Sequence, residues 1–211
     1  MRLWLERRSS PLGTVLIVTD DRSSLRALDF VDYEQRLHRL LRIHYRTYEL
    51  TDGLAPKSIT QTLDAYFAGD FEVLLDVPVA TGGTDFQREV WQALRRISAG
   101  KTISYGQLAT SLGRPNAGRA VGLAVGGNPV AIVVPCHRVI GANGTLTGYG
   151  GGLYRKRWLL DHEHQGHRLP STQLARTNVS SINPARGAAT DAKATRRSES
   201  ITPPKCSLGA G

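Results

Sequence analysis

The sequence predicts a mixed α/β chain of the α+β kind. A small antiparallel sheet with helices comes first, followed by a mainly helical unit that holds a helix-turn-helix and one short strand. Three observations predict it. Residues 1–81 interleave short β-branched runs with segments of helical period. Residues 82–168 are helical segments broken by Gly and Pro, around one branched apolar run, Ile132–Val134. Residues 169–211 lose all period and are dominated by Ser, Thr, Ala, Pro, Arg and Gly, the composition of a disordered basic tail. The division is therefore 1–81, 82–168 and 169–211.

Leu3 to Arg7 and Thr14 to Thr19 read as strands about the turn Ser9-Ser10-Pro11-Leu12-Gly13, and Leu25 to Val31 as a third. Tyr33 to Tyr45 sets Leu37, Leu40, Leu41 and His44/Tyr45 at helical spacing. Ser58 to Phe67 repeats it with Ile59, Leu63, Tyr66 and Phe67 and stops at Gly69, a suitable C-terminal cap. Asp76-Val77-Pro78-Val79 reads as a last strand. Nothing in this part looks chemical; His38 and His44 share no helical face and read as surface or packing residues.

Thr81-Gly82-Gly83-Thr84 is a flexible joint. Thr84 caps a helix from Asp85 to Ile97 whose stripe is Phe86, Val90, Trp91 and Leu94. Ser104 caps the next, with Leu108 and Leu112 one turn apart. Gly113-Arg114-Pro115-Asn116 breaks it, and a second helix runs from Ala117 to Gly126, which makes a helix-turn-helix. That second helix is built from small residues around one long cation, Arg119. Each glycine in it costs about 1 kcal/mol against alanine, so something approaches its surface closely. A major-groove reader would carry several long polar side chains. This helix suits a narrow groove and a wedge, or equally a tight helix–helix contact.

The chemistry centres on Pro135-Cys136-His137-Arg138, which follows Ile132–Val134, read as a buried strand ended by the proline. A thiol beside an imidazole and a guanidinium has the ingredients of a stabilised thiolate nucleophile. A cysteine there also fits a small buried hydrophobe. Neighbours on an extended chain face opposite ways, so His137 reaches Cys136 only through a turn or a bridging water. Thr147-Gly148-Tyr149-Gly150-Gly151-Gly152 fits neither a dinucleotide nor a phosphate loop and gives backbone access to a flat ligand. His162, His164 and His167 miss the spacing of a His-Glu-x-x-His site and read as exposed.

The net charge of +9 is uneven: 10 Lys/Arg against 12 Asp/Glu in residues 1–81, 11 against 4 in 82–168, and 6 against 2 in 169–211. The second part thus suits a polyanion. Cys136 and Cys206 alone make no disulfide framework, and no apolar run spans a membrane, so the expected compartment is the cytoplasm.

With these residues in view, the chain resembles the O6-alkylguanine-DNA alkyltransferases across 82–165, through Ser104-Tyr105-Gly106-Gln107-Leu108-Ala109, Arg119-Ala120-Val121-Gly122, Gly127-Asn128-Pro129, Pro135-Cys136-His137-Arg138-Val139-Ile140 and Trp158-Leu159-Leu160 ending in His162-Glu163. Residues 1–81 resemble the stand-alone bacterial form. The resemblance implies a ribonuclease-H-like N-terminal part and a winged-helix-like C-terminal one. It implies that Cys136 accepts the alkyl group, that His137 draws its proton through a water, and that Glu163 orients the histidine. Tyr105 would help flip the nucleotide and protonate the leaving guanine, and Arg119 would fill the gap. Ala117, Gly118, Ala120, Gly122 and Thr84 would complete the DNA face. Asn128, Pro135, Val139, Tyr149, Gly150 and Gly151 would form the pocket. It further implies a monomer with no metal, cofactor or obligate protein partner. Its substrate would be duplex DNA bearing O6-alkylguanine, or O4-alkylthymine, met from the minor-groove side and repaired in one turnover. Gly150 stands where relatives often carry Ser or Ala, and a roomier pocket is expected. Two rivals share these residues: a Cys-His hydrolase and a non-catalytic lesion sensor.

Overall fold

The computed structural model describes residues 1–166. Strands β1 (Arg2–Ser10), β2 (Gly13–Asp20) and β3 (Leu25–Phe30) form an antiparallel meander, followed by helix α1 (Glu34–His44). Strand β4 (Glu49–Asp52) then adds to the far edge of β1, parallel to it, giving the order β3-β2-β1-β4. Helix α2 (Lys57–Phe67) completes the first part. The turn between β1 and β2 closes at Gly13, whose φ of +95° suits a residue without a Cβ.

β2 is buried on both faces, which explains its unbroken apolar run. Leu16 and Val18 join Leu3, Leu5, Leu37 and Leu41 in a small core under α1. Val15 and Ile17 face a larger core that continues through Tyr66, Val90, Trp91, Leu108, Val121, Val134 and Leu159. The second part therefore packs on the back of the sheet. It comprises α3 (Asp85–Arg95), β5 (Ile103–Ser104), α4 (Tyr105–Ser111), α5 (Gly118–Gly126), β6 (Val139–Ile140) and α6 (Leu153–Gly166). Thr84 and Ser104 cap α3 and α4 as expected, each in a full capping box with the glutamine three residues on.

Two expected strands are absent. Residues 76–79 follow a 3-10 turn, Glu72–Asp76, and make a single bridge, Val79 to Leu25. Pro78 has no N–H, and only its carbonyl serves, accepting from Leu25 N at 2.8 Å. Ile132–Val134 is buried as expected but is not extended. Ile132 has a φ of +68°, and Val134 N bonds back to Val130 O at 3.0 Å. The fold of this turn comes from Asn128, which is 1% exposed. Its Oδ1 accepts from Val130 N at 3.0 Å, and its Nδ2 donates to Val134 O at 2.9 Å and to Val130 O at 3.3 Å. Branched apolar residues signalled burial here, while an asparagine upstream dictated the path. β4 was not foreseen at all. The expected tail, with His167 and Cys206, lies outside the described residues. Among the described residues, no helix is long and apolar enough to cross a membrane.

Asn128→Ala should strand buried partners in this turn and lower stability by about 2–4 kcal/mol, read as the midpoint of urea unfolding. An unchanged midpoint would remove Asn128 as the tie.

Candidate active site

Pro135 hands the chain to a 3-10 turn, Cys136–Arg138, closed by Arg138 N on Pro135 O at 3.1 Å. The turn breaks the extended alternation, so Cys136 and His137 are not held on opposite faces. Cys136 opens on a cleft of about 260 Å³ lined by Tyr105, Gly122, Val125, Gly126, Gly148, Tyr149 and Gly150. It is 7% exposed. Burial pushes its thiol up, against the opposing pull of Asn128's amide and the charges of Arg36 and Lys156. The motif has the ingredients of a thiolate, but burial opposes that form here.

Arg138 does not face the thiol. It turns inward to Glu163, with Nη2 to Oε1 at 2.7 Å and Nε to Oε2 at 3.0 Å, while Nη1 donates to Ile97 O. Glu163 also accepts from Tyr66 Oη at 2.8 Å and Gly100 N at 3.1 Å, and sits 2.9 Å from His137 Nε2. Burial alone would raise this carboxyl, yet His137 and Arg138 hold it well below the usual carboxylate range. Burial pushes His137 down, outweighing the pull of Glu163. The pair at rest is thus a carboxylate and a neutral imidazole, with Nε2–H donating. His137 Nδ1 is then a lone pair, buried, with no hydrogen-bond partner among the described residues. The hydroxyl of Tyr149 is likewise buried and unpartnered beside the same cleft.

Of the expected pocket residues, Tyr149 and Gly150 line the cleft. Asn128 and Val139 lie buried behind it, and Pro135 lines a separate hollow on the far side of the turn. Gly151 faces the sheet: a Cβ there would meet Phe30 at 2.4 Å. Tyr105 opens α4 and lies against Gly122, with Thr147 Oγ1 at 3.4 Å from its hydroxyl. Arg119 and Ala120 are exposed on α5, and Ala117, Gly118 and Gly122 are half-buried. Thr84 is exposed, but its hydroxyl already caps α3.

The roomier pocket expected at Gly150 is not there. A Cβ at that position would come within 2.5 Å of Arg36 Cζ, so an arginine from α1 fills the space. Arg36 pairs with buried Asp29 at 2.6 Å and donates to Gly126 O at 3.0 Å and Asn128 O at 2.9 Å. Lys156 was also missed. It is fully buried, and Nζ donates to Val139 O and Thr147 O at 2.7 Å each and to Gly148 O at 3.2 Å, which holds the glycine loop against β6. Its signal was the spacing of Lys156, Leu159 and Glu163, which share the inward face of α6. His162 is not an exposed histidine. It stacks on Trp158 and sits 3.0 Å from Tyr66 O. No group of three His, Cys, Asp or Glu among the described residues could hold a metal.

Two family models match this chain. One is the 6-O-methylguanine DNA methyltransferase ribonuclease-like domain, over residues 8–81, and the other is the DNA-binding domain of the same family, over residues 85–165. The chain belongs to the 6-O-methylguanine DNA methyltransferase family. A Salmonella typhimurium methylated-DNA–protein-cysteine methyltransferase is 54% identical over 165 residues, covering 77% of this chain and 96% of the relative. The crystal structure of the Mycobacterium tuberculosis O6-methylguanine methyltransferase superposes with a TM-score of 0.67 at 42% identity, over 80% of this chain and 96% of that one. The structure of the same organism's OGT in complex with DNA superposes at 0.64 and 40%, over 82% and 98%.

Two outcomes follow from the site. Glu163→Gln leaves Arg138 buried without its countercharge and should cost about 3–5 kcal/mol at neutral pH. The folded pKa of Glu163 is depressed, so its contribution is complete above the usual carboxylate range and fades as pH falls through the depressed value. The gap between variant and wild type in denaturant midpoints should therefore narrow progressively as pH falls below the usual carboxylate range and close in strong acid. A gap that stays constant with pH would contradict the ion pair. Gly150→Ala should destabilise by about 1–2 kcal/mol through overpacking, and that loss should vanish in an Arg36→Ala background. An equal loss in both backgrounds would free Arg36 of the role.

Proposed function

We propose that this chain repairs alkylated DNA by moving the alkyl group from O6 of guanine to Cys136. The activity is that of a methylated-DNA–protein-cysteine methyltransferase, and DNA is its partner. The observation that carries the assignment to Cys136 is a thiol opening on a cleft, next in the chain to a histidine whose Nε2 sits 2.9 Å from the buried carboxylate of Glu163. Residues 1–81 act as the scaffold, and 82–168 carry DNA binding and the acceptor.

In this reading the thiol of Cys136 gives its proton to His137 Nδ1 through a water, and Glu163 stabilises the imidazolium formed. Sulfur attacks the alkyl carbon in line, the carbon–oxygen bond breaks, and its electron pair leaves on guanine. Tyr105 protonates the leaving base and is itself reprotonated, so the thiol's proton ends on guanine and a thioether remains on Cys136. No group in the site is placed to cleave a thioether, which makes each molecule a single-use acceptor. The base reaches the cleft by flipping out of the duplex, and Arg119 on α5 occupies the gap. The small residues Ala117, Gly118, Ala120 and Gly122 let α5 enter the minor groove. O4-alkylthymine presents a similar alkyl–oxygen bond. A monomer without cofactor suffices for this chemistry, and the scarcity of cysteine suits the cytoplasm.

The test is the intact mass of the protein after incubation with an oligonucleotide carrying O6-methylguanine. It should rise by one methyl group and stop at one equivalent, with peptide mapping placing the group on Cys136 and Cys136→Ala unmodified. Continued turnover would indicate a hydrolase, and an unmodified but bound wild type would indicate a lesion sensor.

A further inference from the structure

The N-terminal part is acidic overall, yet one face of it is not. The outer side of α1 borders an open groove of about 610 Å³ lined by Gln35, Arg36, His38, Arg39 and Arg42, with no carboxylate among them. The nearby acids are already engaged. Glu34 bonds Arg7 at 2.6 Å, Asp29 bonds Arg36 at 2.6 Å, and Asp32 bonds Arg155 at 2.8 Å. Arg39 and Arg42 are exposed and make no hydrogen bond or ion pair among the described residues. The groove begins where α5 ends: Arg36 donates to Gly126 O and Asn128 O, and Gly126 also lines the Cys136 cleft. The leucines of α1, Leu37, Leu40 and Leu41, all point into the core, so the groove offers charge rather than an apolar docking strip.

We propose that α1 is a second DNA-contacting element, with Arg39 and Arg42 binding phosphates of the duplex where it runs past the C-terminal end of α5. This rests on the reading that α5 lies against DNA. Arg36, Arg39 and Arg42 are spaced about 4.5 Å apart along the helix axis, a run of cations that tracks a phosphate backbone. Arg36 is committed to Asp29 and to the end of α5, so it fixes the groove in place while Arg39 and Arg42 remain free to bind. Phosphate contacts position a protein on DNA without reading sequence. The two arginines therefore set how firmly the protein sits on a duplex, and leave the chemistry at Cys136 untouched.

The experiment compares wild type, Arg39→Gln/Arg42→Gln and Arg39→Lys/Arg42→Lys on a long duplex and on one just long enough to cover α5. On the long duplex the Gln pair should weaken binding on the order of tenfold and reduce the slope of log affinity against log salt by about two. The Lys pair should restore both. On the short duplex the three proteins should bind alike, and all should be alkylated at the same rate by free O6-benzylguanine base. An unchanged salt slope, an equal loss on both duplexes, or a selective loss of binding to anionic vesicles would overturn the proposal. An Arg119→Ala protein that binds and repairs like wild type would instead overturn the reading of α5 on which it rests.

Discussion

The carboxylate of Glu163, fully buried, is the point on which this structure turns. Four residues from three separate segments end on its two oxygens: Tyr66 from α2, Gly100 from the loop after α3, and the adjacent His137 and Arg138 from the 3-10 turn. An unpaired charge at that depth would be strongly unfavourable. Here every oxygen is met by donors, and the guanidinium balances the charge. α6 is thereby fastened to the turn that carries Cys136, and the sheet side of the molecule to the cleft side.

The same arrangement settles what each group can do. With Arg138 committed to Glu163, no guanidinium from the motif is left to stabilise a thiolate, and burial pushes the Cys136 thiol up. The cleft therefore holds Cys136 as a buried thiol. A thiol that waits protonated is protected from adventitious oxidation and alkylation. That property suits the acceptor role proposed for Cys136. Lys156 and Arg36 add positive potential from two directions while holding the glycine loop and the end of α5 by backbone carbonyls. Each serves geometry and electrostatics together.

Much of this was legible in the chain. The caps at Thr84 and Ser104, the stripes of α1, α2 and α3, and the Cys-His pair all depend on neighbours within four residues, which a sequence displays directly. What escaped depends on partners far along the chain. β4 is short and mostly exposed, and exists because the edge of β1 is free to pair with it. Ile132–Val134 carries a strand's composition but takes its path from the side chain of Asn128. Arg36 and Lys156 bind main-chain carbonyls, which leave no mark in the identity of the residues that supply them. Glu163 came from family resemblance alone, since nothing local distinguishes it from a surface acid.

The central claim concerns one proton. If Glu163 fixes His137 as a neutral ring protonated on Nε2, then Nδ1 is the free lone pair, the base proposed for the thiol of Cys136. Nitrogen-15 NMR of the imidazole in the unreacted protein at neutral pH measures this directly. A protonated Nε2, hydrogen-bonded to Glu163, and an unprotonated Nδ1 are expected. A ring protonated on both nitrogens, or on Nδ1 alone, would contradict it.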